Sequence, residues 1–165
     1  MPTLGEIIPE LFVEKEIQEA YEMELGKFLV AFNKVENDVR ILVKSILSDK
    51  DQLEIWETLT KGIYKQQVNN LNLLSAGMEL HSEIPFTRLN KLNGTRNKFA
   101  HGDLRINGFS GKFKVTDQRT NLEEEESLDN LKSATEEARQ IENDLNEIWV
   151  RHWYVPEPED FEGPA

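Results

Sequence analysis

The 165-residue chain contains no cysteine. It therefore has no disulfide framework, no thiol nucleophile and no thiolate ligand for a metal. The residues after Met1 lack the basic and then apolar pattern of a secretory signal, and no apolar run approaches the roughly 20 residues that a membrane-spanning helix needs. We therefore expect a cytoplasmic protein with no membrane segment.

The motifs of several enzyme classes are also missing. The chain has no glycine-rich phosphate loop and no GxSxG nucleophile elbow. Its three histidines, His81, His101 and His152, are scattered, and no two of them have the spacing of metal ligands on one helix. The sequence predicts neither a metal site nor a cofactor.

Positive charge is scarce, and most of it lies in one part of the chain. The 19 Lys and Arg residues stand against 31 Asp and Glu, and the net charge of -12 argues against broad, nonspecific binding of nucleic acid. Residues 1–60 carry 6 basic and 13 acidic residues, residues 61–120 carry 10 and 4, and residues 121–165 carry 3 and 14. The central third alone is basic, as a site for an anionic ligand would require, although acidic and basic residues could also simply sort by helix.

The apolar spacing predicts helices along most of the chain, and the length fits one domain. One apolar seam runs from Tyr21 to Ile46 in steps of three and four residues, and a second runs from Leu131 to Ile148. We expect the two long helices that carry these seams to pack together. The predicted helices cover residues 10–47, 51–60, 63–81 and 86–101, and a last helix begins between residues 121 and 127.

Residues 103–117 change to a period of two, on both sides of a glycine-containing turn, which predicts a β-hairpin. The predicted fold is all-α: a single-domain antiparallel helical bundle of about five helices over residues 1–155, with a small β-hairpin insertion before the last long helix. Residues 156–165 are predicted to form an acidic, proline-rich tail.

The candidate site lies at the end of the predicted helix 86–101, where Arg96, Asn97 and His101 fall within six residues. Arginine stays protonated and can clamp a phosphate through two nitrogens, whereas histidine titrates near neutrality and can transfer a proton. Asn97 and His101 share a helix face, while Arg96 lies further round the helix. This combination suits phosphoryl transfer without a metal.

These three residues resemble the motif of the HEPN superfamily (higher eukaryotes and prokaryotes nucleotide-binding), in which arginine and a polar residue precede a histidine near the end of a helix. The resemblance implies a metal-independent RNA endonuclease, in which a 2′-hydroxyl attacks the adjacent phosphate and leaves a 2′,3′-cyclic phosphate. His101 would transfer the proton, Arg96 would stabilise the phosphoryl oxygens and Asn97 would orient either group. Lys98 and Arg105 are weaker candidates for contacts to phosphate.

The resemblance further implies a homodimer with a composite cleft, and a role in a toxin, antiphage-defence or stress-response system with an antitoxin or another regulatory protein. In toxins of the family that are paired with minimal nucleotidyltransferases, a tyrosine stands two residues after the histidine. Here that residue is Asp103, which departs from the pattern of this branch.

A second interpretation gives the motif a structural role. Arg96 could pair with a carboxylate of the last helix, Asn97 could bond to backbone and His101 could donate to a carbonyl at the helix end. The chain would then be a noncatalytic HEPN-like homodimeric module that binds a protein or a nucleotide. Glu36 and the polar run 66–72 are further candidates for contacts to a ligand, although solvated helix faces commonly carry such residues.

Overall fold

The computed structural model describes residues 15–101, 103–107, 112–116 and 123–154, with side chains over 17–100 and 127–154. Five α-helices contain most of these residues, in agreement with the predicted all-α class. They are α1 (Lys15–Asp49), α2 (Trp56–Thr60), α3 (Tyr64–Ser75), α4 (Phe86–His101) and α5 (Leu128–Trp153). Short 3₁₀ segments, Leu53–Ile55 and Glu79–Ser82, precede α2 and α4.

Helices α1 and α5 pack along the two apolar seams, as the sequence predicts. The seam residues from Phe28 to Ile46 on α1 and from Leu131 to Ile148 on α5 are largely buried. Burying these side chains is the main favourable contribution to the stability of the fold, at roughly 1.5–3 kcal/mol for each large apolar residue.

The predicted antiparallel arrangement is wrong for this helix pair, because α1 and α5 run in the same direction. Four side-chain contacts follow one order along both helices: Lys34–Glu142, Asp38–Asn146, Ser45–Trp149 and Asp49–Trp153. The reason lies in the short segment after α1. This segment folds back along α1, where the Trp56 indole donates to the carbonyl of Arg40. Helix α3 therefore begins beside Phe32, in the first half of α1.

Helix α3 consequently runs parallel to α1, and α4 runs antiparallel to both. At its far end α3 receives a hydrogen bond from Lys50 at the carbonyl of Leu74. The antiparallel course of α4 is fixed by the contact of Phe99 with Phe28. Helices α1, α3 and α5 therefore share one direction, and α4 is the helix that runs against them.

Several predicted boundaries differ from the structure. Residues 10–14 of the first predicted helix lie outside the described residues, and α1 continues to Asp49. The carboxylate of Asp49, its last residue, accepts a hydrogen bond from the Trp153 indole. The helix predicted over 63–81 ends at Ser75. Ala76 leaves the helical region with a ψ of 125°, and Gly77 follows with a φ of 83°, in the left-handed region that helices exclude.

Three strands, β1 (Asp103–Asn107), β2 (Lys112–Thr116) and β3 (Glu123–Glu126), form an antiparallel sheet in the order β1-β2-β3. The first two strands lie within the range 103–117. The glutamates at 123–126 form β3, and Ser127 caps α5 by accepting from the Asn130 backbone N–H at 3.1 Å. The predicted tail, 156–165, lies outside the described residues.

Candidate active site

Helix α4 carries the motif, and its bounds agree with the predicted range 86–101. Pro85 precedes the first residue, where the missing N–H costs nothing, and its carbonyl accepts the first helical hydrogen bond from Leu89. Leu89, Leu92 and Phe99 bury one side of the helix. The motif residues therefore occupy the last two turns of a helix that is fixed along its length.

The aromatic ring of Phe32 holds Arg96 in place. The guanidinium carbon of Arg96 lies 5.9 Å from the centroid of this ring, a distance at which a cation is attracted to the ring face. The Phe32 side chain is only 2% exposed and packs against Tyr64, with 4.8 Å between the ring centroids. A half-buried cation at the helix end thus rests on a rigid part of the core.

Asn97 is half-buried and contacts Arg96 directly. The Arg96 Nη1 donates to the Asn97 Oδ1 at 3.3 Å, the long end of the range for such a bond. The amide and the ring restrict the guanidinium from two directions.

His101 is the last residue of α4, so the helix ends where the motif ends. Arg105 lies in β1, directly opposite Lys114 of β2 in the register of the sheet. The structure describes the backbone of these residues.

Lys98 lies on another side of α4, away from Arg96. At about 100° per residue, Lys98 is roughly 160° around the helix from Arg96. It lines a groove of about 500 Å³ between α4 and α5 together with Lys91, Asn130 and Ser133. We call this the α4–α5 groove. The structure therefore separates the predicted phosphate-binding lysine from the arginine and the amide.

Arg88, at the far end of the α4–α5 groove, pairs with the acidic last helix. Its Nε donates to Glu137 at 2.7 Å, and its Nη1 donates to Asp144. The hydrogen bond that Arg88 donates to Glu137 is the main cause of the raised pKa of Arg88. The sequence suggested a pairing with this helix for Arg96 and not for Arg88. The position of Arg88 next to Leu89 and four residues before Leu92 places it at the border of the buried side of α4.

The polar residues of α3 have structural roles that the sequence did not predict. Gln67 is 3% exposed and donates to Glu36 at 3.2 Å and to the Gly62 carbonyl at 2.8 Å. Asn70 donates to the Leu59 carbonyl at 2.9 Å. These two side chains fasten α3 to its neighbours. Glu36 is half-buried and accepts from Gln67 in this network.

Tyr64 lies behind Phe32 and supports it. Burial raises the pKa of Tyr64, and the Glu36 carboxylate raises it further, so the phenol stays protonated at neutral pH. Its hydroxyl donates to the carbonyl of Leu89 on α4 at 3.4 Å. The ring that positions Arg96 is thereby tied to α3 and α4.

No group of His, Asp and Glu side chains in the described residues could hold a metal ion. None of the helices in this part of the chain is long and apolar enough to cross a membrane. Comparison of the sequence and the structure with protein-family models, curated proteins and solved structures finds no match. The resemblance to the HEPN superfamily therefore depends on the motif and its helical setting.

Proposed function

We propose that this chain is a metal-independent RNA endonuclease of the HEPN type. The observation that carries the proposal is the placement of Arg96 and Asn97, in mutual contact, in the last turns of the helix that His101 ends. An oriented guanidinium at a helix end is suited to bind a phosphodiester. A histidine one turn after Asn97 supplies a group that titrates near neutral pH.

The reaction uses the 2′-hydroxyl of the RNA as the nucleophile. His101 takes the proton from this hydroxyl or gives a proton to the leaving 5′-oxygen, and Arg96 stabilises the charge that builds on the phosphoryl oxygens. Asn97 keeps the guanidinium in position. The products are a 2′,3′-cyclic phosphate and a 5′-hydroxyl, and DNA is not a substrate because it lacks the nucleophile.

We further propose that two copies of the chain form a homodimer in which both motifs face one cleft of an HEPN-like helical bundle. Such an RNase would act in a toxin, antiphage-defence or stress-response system and would need an antitoxin or another regulatory protein to restrain it. The support for these points is the resemblance alone. A size measurement of the purified chain in solution tests the dimer independently of cleavage.

A second candidate function is that of a noncatalytic homodimeric module that binds a protein or a nucleotide. The observation in its favour is a pair of exposed apolar side chains on α1, Met23 at 56% and Val30 at 60% exposed. They are seven residues apart and therefore lie on the same side of the helix, where a partner could cover both. This function requires no chemistry from Arg96 or His101.

Cleavage of RNA by matched variants separates the two functions. Total RNA is incubated in a metal chelator with the unaltered chain, with Arg96→Ala, with His101→Ala and with Arg139→Ala as the control. Arg139 is an exposed arginine of α5 that lies 3.6 Å from Glu136. We expect cleavage by the unaltered chain and the control, and a loss of at least 100-fold in the other two. Equal cleavage by all four would remove the first function, and no cleavage at all would favour the second.

A further inference from the structure

Two cations of α1 contact a single aromatic ring. The guanidinium carbon of Arg40 lies 5.7 Å from the centroid of the Trp56 ring, and the Lys44 ammonium lies 5.2 Å from the same centroid. Both distances are within the roughly 6 Å over which a cation is attracted to an aromatic ring. We call these three residues the Trp56 cluster. Nothing in the proposed chemistry of Arg96 and His101 uses it.

The ring of the Trp56 cluster is fixed to α1. The indole N–H of Trp56 donates to the backbone carbonyl of Arg40 at 3.3 Å, and the half-buried ring packs against the core. Arg40 is half-buried, whereas Lys44 is exposed. The cluster therefore combines a positioned ring with a cation that a small ligand can reach from solvent.

The two cations of the cluster lack an anionic partner in the part of the chain that the structure describes. Neither side chain forms an ion pair or donates a hydrogen bond there, and the buried Nε of Arg40 has no acceptor. Glu36, one turn before Arg40 on α1, accepts from Gln67 of α3 instead. The chain has 31 Asp and Glu against 19 Lys and Arg, yet its excess of carboxylates does not neutralise this pair.

A structural contact between cations and a ring does not by itself account for the cluster. One cation is enough to hold a ring, whereas two like charges four residues apart on a helix repel each other. The ring face also offers no oxygen to the buried Arg40 Nε, and a buried donor without an acceptor is unfavourable. An anion bound between the two side chains would relieve the repulsion and supply the missing acceptor.

The spacing and the charge of the two cations favour one kind of anion. Arg40 and Lys44 are about one helical turn apart, roughly 6 Å along the axis, so the oxygens of a single group can contact both. A guanidinium binds two oxygens of one phosphate, and an ammonium adds a point charge. A phosphate monoester carries a charge of about −1.5 to −2 at pH 7, which matches two cations better than a single carboxylate does.

We infer that the Trp56 cluster binds a dianionic phosphate, either free phosphate or the phosphate of a monoester. The inference does not depend on the proposed function. Phe32, whose ring supports Arg96, precedes Arg40 by eight residues of α1, or about 12 Å along the axis. The cluster is therefore an anion site beside α2, apart from the motif at the end of α4.

The three tryptophans of the chain allow a local measurement of binding. In an NMR spectrum of the isotope-labelled chain each indole N–H gives its own signal, and Trp56→Phe assigns the signal of Trp56. Inorganic phosphate is titrated against a sodium chloride control of equal ionic strength. We expect the Trp56 signal to move and to saturate with a Kd on the order of 1 mM. The signals of Trp149 and Trp153 are the internal reference, because these indoles donate to other residues of α1.

Matched variants distinguish the cluster from other cationic surface. Lys44→Gln removes one cation at an exposed position, and we expect the Kd for phosphate to rise about tenfold, since a hydrogen bond to a charged group contributes roughly that factor. Arg139→Gln makes the same change of charge at an exposed arginine of α5, and Lys44→Arg keeps the charge of the cluster. Both should bind phosphate as the unaltered chain does. Thermal unfolding of each variant checks that the fold is intact.

The source of the phosphate is tested with adenosine monophosphate and adenosine. A Trp56 shift that saturates at a lower concentration of the monophosphate than of inorganic phosphate supports a monoester as the ligand, and equal concentrations support free phosphate. A shift with adenosine alone would overturn the inference, because adenosine carries no phosphate.

The remaining outcomes keep this inference apart from the proposed function. An unmoved Trp56 signal, or equal weakening by Lys44→Gln and Arg139→Gln, would overturn the inference and leave the proposed function standing. A Trp56 shift that persists in Lys44→Gln and is lost in Arg96→Ala would also overturn it, because the phosphate would then be bound at Arg96. A shift that depends on Lys44, in a chain that cleaves no RNA, supports the Trp56 cluster while the proposed function fails.

Discussion

The two sides of helix α4 hold their arginines by different means. On the side towards α1, Arg96 lies over the ring of Phe32 and donates to Asn97. On the side towards α5, Arg88 donates to the carboxylates of Glu137 and Asp144. A ring and an amide orient the guanidinium of Arg96, whereas two carboxylates neutralise that of Arg88. The Arg96 contacts join the end of α4 to α1, and the Arg88 contacts join its beginning to α5.

The side towards α1 should be much more sensitive to substitution. Phe32→Ala removes a buried ring that packs on Tyr64, and we expect the free energy of unfolding to fall by about 3–5 kcal/mol. The measurement is chemical denaturation of the purified variant. Val30→Ala, at an exposed position of the same helix, should change stability by less than about 0.5 kcal/mol. Similar losses in both variants would contradict the rigid aromatic support for Arg96.

An acidic residue of α5 also affects the contact of this helix with α1, and the stability of the fold should therefore depend on pH. The pKa of Asp38 is raised to about 6, mainly by burial. The Glu142 carboxylate of α5 also raises this pKa, and the Lys34 ammonium lowers it. Between pH 3.8 and about 6, the Asp38 carboxyl is protonated in the folded state and ionised in the unfolded state. The contribution of Asp38 to stability is therefore present at low pH and is lost as the pH rises from about 4 through 6.

Asp38→Asn tests this directly. At pH 7 we expect the variant to be more stable than the unaltered chain by about 1 kcal/mol, a figure reduced for the partial exposure of the group. The difference should shrink when unfolding is measured at pH 5. Glu147→Gln, at an exposed carboxylate of α5, serves as the control. A constant difference between pH 7 and pH 5 would mean that Asp38 does not titrate in this range.

The side of α4 towards α5 should lose less stability on substitution. Arg88→Ala breaks two ion pairs at a side chain that is 36% exposed, and we expect a loss of about 1 kcal/mol. Thermal or chemical unfolding measures it, with Arg139→Ala as an exposed control that should cost close to nothing. A loss as large as that of Phe32→Ala would remove the contrast between the two sides.

The sequence predicted the helices of this fold better than their arrangement. The apolar seams on α1 and α5, and the bounds of α4, follow from a spacing of three and four residues that shows which face a helix buries. The same spacing does not show in which direction the partner helix runs. The direction depends on the segment after Asp49, which folds back along α1 up to the contact of Trp56 with Arg40.

The candidate site was predicted in part. The contact of Arg96 with Asn97 follows from their adjacent positions, but the role of Phe32 could not be predicted, because this residue is 64 positions away and reads as an ordinary core residue of the seam. Lys98 lies on another side of α4 from Arg96, and its contact to phosphate stays a prediction. Neighbours in sequence lie about 100° apart around a helix, so a compact motif is divided between two sides.

Gly94 gives the smallest expected effect. A Cβ added at Gly94 would meet nothing within 4 Å in the described part of the chain. Gly94→Ala should therefore stabilise α4 by up to about 1 kcal/mol, as measured by thermal unfolding. A destabilised variant, or one with an altered oligomeric state, would show that another chain approaches this position.

The chemistry at Arg96 is tested most directly by the ends of the cleaved RNA. An oligonucleotide with one 2′-deoxy substitution at its cleavage site is compared with the unmodified strand, in a chelator, for the unaltered chain and for Arg96→Ala. We predict that the unaltered chain produces a 2′,3′-cyclic phosphate from the unmodified strand alone, and that Arg96→Ala produces none. Cleavage of the deoxy-substituted strand, or the same cyclic phosphate from Arg96→Ala, would contradict the proposed mechanism.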